Sequence, residues 1–235
     1  MNSFRNLFTA FVLMLITQPL FSQAESFGTW TDISVEKELT KKWNIEAETE
    51  LRTIYYVRLI ERWSLGLSTD FSINKHFDVA LGYDFQNKLD LKYLNYQFRN
   101  RFNASGTGKW KFNDFTFSLR EKVQVTAKDD SNRLDENGVI DSYKVNPEWS
   151  WRNKLEISYN IPNFKINPSF SVESFYQLNN PDGNTFDNLR YILSFDYKLN
   201  KRNKLEVYGV YNSSLDSDDA YGKYILGVGY KITLK

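Results

Sequence analysis

Hydrophobic and polar side chains alternate along most of this chain with a period of two residues. In the stretch Trp43–Thr53 most odd-numbered positions are apolar, and the even-numbered positions carry charged or polar side chains. Successive side chains of a β-strand point to opposite faces of a sheet, so this period predicts a strand and argues against a helix. Similar segments follow with almost no helical pattern between them, which predicts an all-β fold.

The alternating pattern marks eleven segments, which turn-forming or polar residues separate. They are Phe27–Leu39, Trp43–Thr53, Arg62–Ile73, Phe77–Gln86, Tyr93–Phe102, Phe115–Val125, Trp149–Tyr159, Ser169–Leu178, Leu189–Lys198, Leu205–Tyr211 and Tyr224–Leu234.

An aromatic-rich apolar face and a charged face, repeated in strands of about ten residues, are typical of a transmembrane β-barrel. The sequence therefore predicts a single antiparallel up-and-down transmembrane β-barrel. Bacterial single-chain barrels have an even number of strands. We therefore expect twelve strands, one of them hidden in the long irregular segment Ala127–Asn146, and ten strands as the alternative.

The connections between the segments alternate in length, which predicts the orientation of the barrel. Outer-membrane barrels place short turns in the periplasm and longer loops outside. We expect periplasmic turns near Lys41, Lys75, Lys109, Asn163 and Lys201, and extracellular loops near Tyr56, Lys88, Asp135, Asp182 and Asp218. Both termini are expected to be periplasmic.

The first residues of the chain have the features of a secretory signal peptide. Arg5 precedes an apolar run from Leu7 to Ile16, which is too short to span a bilayer as a helix. We predict a signal peptide at residues 1–22, with cleavage after residue 24 as the alternative, and a barrel at residues 25–235. The absence of cysteine excludes a lipoprotein anchor and disulfide bonds. The expected location is the outer membrane, reached with the help of the barrel-assembly machinery.

The sequence contains little that points to catalysis or to a cofactor. Its single histidine, His76, lies in a predicted turn, so no inner-face serine has an evident histidine base. The acidic loops lack the ligand spacing of a calcium loop. A net charge of +1 gives no indication of nucleic-acid binding. We therefore expect no enzymatic activity, no metal, no cofactor and no nucleic-acid partner.

The charges on the inner face are the candidate functional residues. Acids lie in the first two strands and bases in the middle ones, and strands far apart in order face each other across a barrel. The predicted charge walls contain Glu46, Glu48, Glu50, Arg52, Arg99, Arg101, Arg120, Lys122, Arg152 and Lys154. Either the facing charges pair and plug the interior, or they line a narrow water-filled channel. In the plugged case, Glu46, Glu48 and Glu50 would pair with Arg99, Arg101 or Arg120.

Several short motifs resemble a family of secreted proteins known as domain of unknown function 2490. They are Trp30–Val35, Trp43–Arg52, Leu81-Gly82-Tyr83, Tyr96–Arg101 and Asn188-Leu189-Arg190. The resemblance implies an outer-membrane barrel of a Gram-negative bacterium. The resemblance supplies no established activity and no functional residues that could be transferred to this chain.

These observations leave more than one function open. The expected function is a small pore, or a structural or envelope-maintenance protein, with a charged interior. Its expected partners are outer-membrane lipid and lipopolysaccharide, together with small polar solutes. The alternatives are a soluble, secreted lipocalin-like barrel that binds an apolar ligand, and an outer-membrane enzyme that modifies lipids. A lipocalin-like barrel would have an apolar interior, so the polarity of the enclosed face separates the two barrel types.

Overall fold

The computed structural model describes residues 26–215 and 222–234. The predicted signal peptide and the expected loop at Asp218 lie outside these described residues. Within them every regular element is a β-strand. No described segment is a helix of the length and apolarity needed to cross a membrane. The all-β prediction is confirmed.

The strands follow the alternating segments of the sequence one for one. They are β1 (Ser26–Thr40), β2 (Trp43–Ile54), β3 (Leu59–Asn74), β4 (Phe77–Asp90), β5 (Asn95–Phe112), β6 (Phe115–Lys128), β7 (Glu148–Tyr159), β8 (Ile166–Gln177), β9 (Phe186–Lys198), β10 (Asn203–Ser214) and β11 (Gly222–Leu234). Each strand pairs with its sequence neighbours, and β1 pairs with β11 to close the barrel.

The described residues thus form eleven strands, one fewer than the expected twelve and one more than the alternative ten. The segment 129–147 does not hide a strand, because its only bridge joins Leu134 to Ile140. Consecutive strands run antiparallel, whereas β1 and β11 run parallel from the pair Ser26–Lys223 to the pair Lys37–Leu234. An odd number of alternating strands leaves the first and the last pointing the same way, so the closing pair must be parallel.

The odd strand number also corrects the expected position of the termini. β1 begins at the end of the barrel that carries the longer loops, and β11 ends at the opposite end, which carries the short turns. We call these the loop end and the turn end. The two terminal strand ends therefore lie on opposite sides of the barrel, and the expectation that both termini are periplasmic is wrong for them.

One predicted turn is also in the wrong place. The stretch Ala104–Lys109 lies inside β5, and the turn comes at Asn113, whose φ of 53° suits a tight reversal. Gly108 marks no break in the strand. A Cβ there would lie 2.6 Å from Cη2 of Trp110, so the missing side chain gives the indole room to lie along β5.

The two faces of the barrel wall differ in the way the alternation predicts. Large apolar side chains on the outer face remain exposed, among them Leu65, Leu67, Leu81 and Leu155. The polar and charged side chains between them point into the lumen. An apolar outer surface and a polar interior are the arrangement of a membrane-spanning barrel.

The inside–outside assignment predicts opposite effects for two adjacent substitutions on β6. Leu119 points outward and Ser118 points into the lumen. Leu119→Arg should lower the free energy of unfolding by about 2–4 kcal/mol if the position lies near the bilayer midplane. Ser118→Arg should cost clearly less, because the new charge stays in the polar lumen. Urea titration of the barrel in lipid vesicles measures both, and equal losses would contradict the assignment.

Candidate functional site

One buried carboxylate in the lumen holds three basic side chains. Glu173 on β8 is 2% exposed. Its Oε1 accepts hydrogen bonds from Nη2 of Arg120 at 2.8 Å and of Arg152 at 2.9 Å, and its Oε2 accepts one from Nη1 of Arg190 at 3.4 Å. The contacts tie β6, β7 and β9 to β8. A buried charge is costly unless it is paired, and here a single acid serves three guanidinium groups.

A tryptophan continues these contacts to the other side of the lumen. The guanidinium carbon of Arg190 lies 5.0 Å from the ring centre of Trp30 on β1, and that of Arg52 on β2 lies 3.5 Å from it. The negative face of an indole ring attracts cations, so Trp30 joins two basic groups that would otherwise repel each other. Arg52 in turn donates to Glu50 at 2.7 Å, and Arg62 on β3 donates to the same carboxylate.

A small apolar cluster lies inside the barrel around Trp30. Trp30 packs with Val210 and Ile225, and partly buried Tyr208 lies against them. Gly227 makes room for this packing, because a Cβ there would lie 2.0 Å from Cε2 of Tyr208. The part of the lumen enclosed by β9, β10, β11 and β1 is therefore occupied by side chains.

The segment 129–147 contacts the barrel rim at the loop end. Arg133 is 8% exposed, its Nε donates to Oδ2 of Asp90 at 2.9 Å, and its guanidinium carbon lies 3.9 Å from the ring centre of Tyr143. Asp141 accepts hydrogen bonds from Lys92 at 2.7 Å and from Tyr93. These bonds hold the pKa of the Asp141 carboxyl below its usual range. The segment is thus anchored to the barrel rim by charged contacts.

Buried side chains are concentrated in one half of the lumen. With the exception of Ser194, those that point inward lie in the middle or in the loop-end half of their strands. They include Trp30, Ser34, Arg62, Ser64, Gln86, Gln97, Gln124, Thr126, Ser150, Ser171, Glu173, Val210 and Ile225. Toward the turn end the paired charges are more accessible, as for Lys154 and Glu156 and for Lys204 and Asp196. We call the buried side chains that point inward the buried layer.

A polar cavity of about 280 Å³ lies between the buried layer and the turn end, on the side of β2 to β7. Its size follows from small inward-facing residues such as Ser64, Gly66, Ser68 and Gly82. The lining contains Glu46, Glu48, Glu50, Arg52, Arg62, Ser64, Gly66, Leu67, Ser68, Gly82, Asp84, Gln86, Arg101, Asn103, Lys122 and Arg152.

Four charged residues of this cavity form no ion pair within 4.0 Å with another described residue. They are Glu48, Asp84, Arg101 and Lys122. The two acids lie on β2 and β4, and the two bases on β5 and β6. The cavity therefore offers separate acidic and basic groups whose charges no direct contact neutralises.

The structure brings most of the predicted charge walls together but does not form the expected pairs. Seven of the ten predicted residues line the cavity: Glu46, Glu48, Glu50, Arg52, Arg101, Lys122 and Arg152. The other three lie outside it. Arg99 stacks on Tyr143, Arg120 binds Glu173, and Lys154 pairs with Glu156 at 2.7 Å.

The expected partners of the acidic wall were wrong. Glu46 pairs with Lys231 at 2.5 Å instead of with Arg99, Arg101 or Arg120. Glu50 pairs with Arg52 and Arg62, on its own and the adjacent strand. In a barrel of this width a glutamate reaches its own or a nearby strand more readily than the opposite wall.

Several residues that take part in these ion pairs were missing from the predicted walls, among them Arg62, Glu173, Arg190 and Lys231. The alternation of β8 already places Glu173 inward, so the same period would have found it. What the sequence lacks is a sign that this one acid would collect bases from three strands.

The remaining candidates for chemistry lie apart from the lumen network. Nδ1 of His76 lies 3.0 Å from the carbonyl oxygen of Lys109, in the turn between β3 and β4. Among the residues described, no three His, Asp or Glu side chains form a group that could hold a metal ion. The expected absence of catalysis and cofactors stays a prediction.

Comparison with known proteins places the chain in a family. The family model "Protein of unknown function (DUF2490)" matches residues 27–221, and the chain belongs to this family. The family expected from the short motifs is thus confirmed. No curated protein sequence matches the chain significantly.

Two solved structures are similar to this barrel. The beta domain of the Bordetella autotransporter Brka has 12% sequence identity and a TM-score of 0.48, with 82% of this chain and 84% of that chain covered. An anion-selective porin from Comamonas acidovorans has 11% identity and a TM-score of 0.37, with 79% of this chain and 52% of that chain covered.

The network predicts that Glu173 contributes strongly to stability. Glu173→Gln leaves three guanidinium groups around an uncharged amide, and breaking a buried ion pair in this way costs about 3–5 kcal/mol. Glu156→Gln is the matched control, because among the described residues Glu156 forms an ion pair with Lys154 alone, near the turn end, and such an accessible pair contributes roughly 0–1 kcal/mol. Unfolding in urea measures both variants, and similar losses would contradict the role of Glu173.

Proposed function

We propose that this protein is an integral outer-membrane barrel that is closed to solutes and has a structural or envelope-maintenance function. The observation that carries the proposal is the buried layer, in which Gln97 is 0% and Gln86 1% exposed. If a continuous water path ran through the lumen, amide side chains in the buried layer would be exposed to solvent. The contacts of segment 129–147 with the rim add a second closure at the same end.

The apolar outer face supports a position in the membrane, and the signal peptide expected from the sequence is consistent with the outer membrane. On the rule for turn lengths, the turn end faces the periplasm and the closed loop end faces outward. Outer-membrane lipid and lipopolysaccharide would then contact the outer face, and the barrel-assembly machinery would insert the chain. These partners are part of the proposal.

The geometry disfavours the two alternative functions. A lipocalin-like carrier needs an apolar interior, whereas this lumen contains Glu173, Arg152 and their charged neighbours. A lipid-modifying enzyme needs a base next to a nucleophile. His76, the only histidine, lies in a turn at the end of the barrel opposite the long loops.

The cavity favours a second candidate function, the binding of a small polar solute. Its basic groups Arg101 and Lys122 suit a phosphate or carboxylate, and Glu48 suits an ammonium group. A solute with both charges could satisfy groups that make no ion pair within the described residues. Access from the turn end would allow binding without transport across the barrel.

The closed barrel predicts no ion current. The native protein in planar bilayers should show no channel events. A variant in which a short Gly-Ser linker replaces residues 130–142, together with Arg62→Ser and Gln97→Ser, lacks the loop contacts with the rim and has shorter side chains in the buried layer. This variant should show channel events. Lys154→Ser with Glu156→Ser is the control, because it shortens lumen side chains outside the buried layer. Steady conductance from the native barrel would refute the proposal of a closed lumen.

The cavity predicts selective binding of zwitterions. Phosphoethanolamine should bind the refolded barrel in calorimetric titrations more tightly than inorganic phosphate or ethanolamine alone. Arg101→Gln and Glu48→Gln should each weaken this binding while leaving the unfolding midpoint nearly unchanged, since neither residue has an ion-pair partner in the described barrel. Lys204→Gln, outside the cavity, should bind as the native protein does. Equal affinity for all three compounds would count against a zwitterion site.

A further inference from the structure

A charged residue lies on the outer, apolar face of the barrel. Glu121 is near the middle of β6 and points outward between Leu119 and Val123. Its Oε2 accepts a hydrogen bond from Nε1 of Trp151 on β7 at 2.7 Å. Ionisable residues in contact with hydrocarbon are costly, and in membrane proteins they usually face protein or water. One indole bond leaves most of the carboxylate's hydrogen-bonding capacity unused.

Glu121 belongs to a row of polar residues that crosses three strands. In the strand register Glu121 pairs with Asn153 on β7, and Asn153 pairs with Ser174 on β8. All three point outward, and Nδ2 of Asn153 lies 3.5 Å from Oγ of Ser174. We call this row the polar stripe. It contains hydrogen-bond acceptors in the acid and donors in the amide and the hydroxyl.

A groove of small residues lies on one side of the polar stripe. In the strand register Gly106 on β5 faces Glu121 on β6, and Ala104 and Gly108 flank it along the strand. The outer surface above them has a depression of about 790 Å³, which contains Ala104 and Gly106 in its lining, and a second of about 550 Å³, which contains Gly106 and Gly108. Glu121 lines both depressions, so they form one continuous groove beside the stripe.

A ridge of large residues lies on the other side of the polar stripe. Trp151 and Leu155 on β7 flank Asn153 and are 40% and 53% exposed. The outer face thus has a groove on β5, the acid on β6 and a ridge on β7. This order is self-complementary under a two-fold axis at β6, because rotation places the ridge of one copy over the groove of the other.

We propose that this face is the interface of a symmetric dimer of this chain within the membrane. The two-fold axis lies parallel to the membrane normal, between the β6 strands of the two copies. Trp151 and Leu155 of each copy fill the groove at Ala104 and Gly106 of the other. Glu121 of each copy lies next to the axis, and Asn153 of the other copy lies one strand spacing of about 5 Å to the side, so the two side chains meet diagonally and the amide donates to the carboxylate. One proton shared by the two Glu121 carboxyl groups removes the repulsion between them.

The polar stripe favours a protein over a lipid as the occupant. An acyl chain could fill the groove, but it has no group that could donate to Glu121 or bind Asn153. Small residues allow close approach of two backbones, and polar side chains hydrogen-bond between membrane segments. A second copy supplies both, and isologous dimers are the commonest oligomers.

The absence of cysteine from the chain makes cross-linking a direct test. Val123→Cys lies on β6 near the proposed axis and should form a disulfide-linked dimer when the native membranes are oxidised. Val207→Cys is the control, because Val123 and Val207 are equally exposed at 40% and Val207 lies on β10, four strands away around the barrel. It should not cross-link.

Filling the groove should weaken the dimer. Gly106→Leu places a side chain where the ridge of the second copy would pack, and we expect dimerisation in detergent to weaken about tenfold, which equals about 1.4 kcal/mol. Gly209→Leu on β10 is the control, because a Cβ there has open space, whereas a Cβ at Gly106 lies 3.2 Å from Cζ of Phe77 on the same barrel and displaces that ring slightly. Light scattering coupled to size exclusion measures the dimer fraction, and heat-modifiable gel migration verifies that each variant is folded.

The outcomes separate the proposal from its rivals. Cross-linking at Val123→Cys alone, together with a lower dimer fraction for Gly106→Leu, supports the interface. Equal cross-linking at both cysteine positions would overturn it, as would a monomeric native protein. A monomer that retains about one lipid per barrel, lost in Gly106→Leu, would instead assign the groove to lipid.

Discussion

The constraint on which this structure depends is that a narrow barrel with an apolar outer face must put its polar residues inside. Each strand turns alternate side chains into the lumen, and in this sequence many of them are charged. The eleven described strands enclose a narrow lumen in which many of the charges pair with one another. Glu48, Asp84, Arg101 and Lys122, which line the polar cavity, are the exception within the described residues. Glu173, which holds three arginines, and Glu50, which holds two, are the points where this compensation is concentrated. Trp30 joins the two centres because its ring can accept a cation on each side.

The strands themselves could be predicted from the alternation, because the period of two is a local property that each segment carries in its own residues. The strand number was missed for a different reason. The alternation itself marks eleven segments, but the rule that bacterial barrels have an even number of strands favoured twelve or ten. The parallel pairing of β1 with β11 is what allows an odd number of strands to close. The turn expected near Lys109 was misplaced because glycine can end a strand or can accommodate a neighbouring ring, and only the position of Trp110 distinguishes these cases.

The sequence indicated which charged residues point into the lumen, but not which of them contact one another. The alternation places Glu46, Glu48, Glu50 and Arg101 in the lumen, and seven of the ten predicted residues do share one cavity. Which acid meets which base depends on the stagger between strands and on side-chain length, neither of which the period reveals. Lys231 illustrates this, since it comes from the last strand and binds acids of the first two because the barrel closes there.

The same physics explains why the two ends of the lumen differ. Near the loop end the inward residues include long amides and arginines, and the segment 129–147 adds Arg133 and Tyr143, so more of the inward side chains are buried there. Below this level β3 and β4 contribute glycine and serine, which leave space that large residues from other strands do not take up. On the outer face, small residues lower the surface of the barrel instead of leaving space in the lumen. Small residues on β5 lower the surface beside Glu121, so a depression in the outer face lies next to a charged residue. An acid on an apolar surface calls for a polar neighbour, and a depression in the wall allows that neighbour to come close.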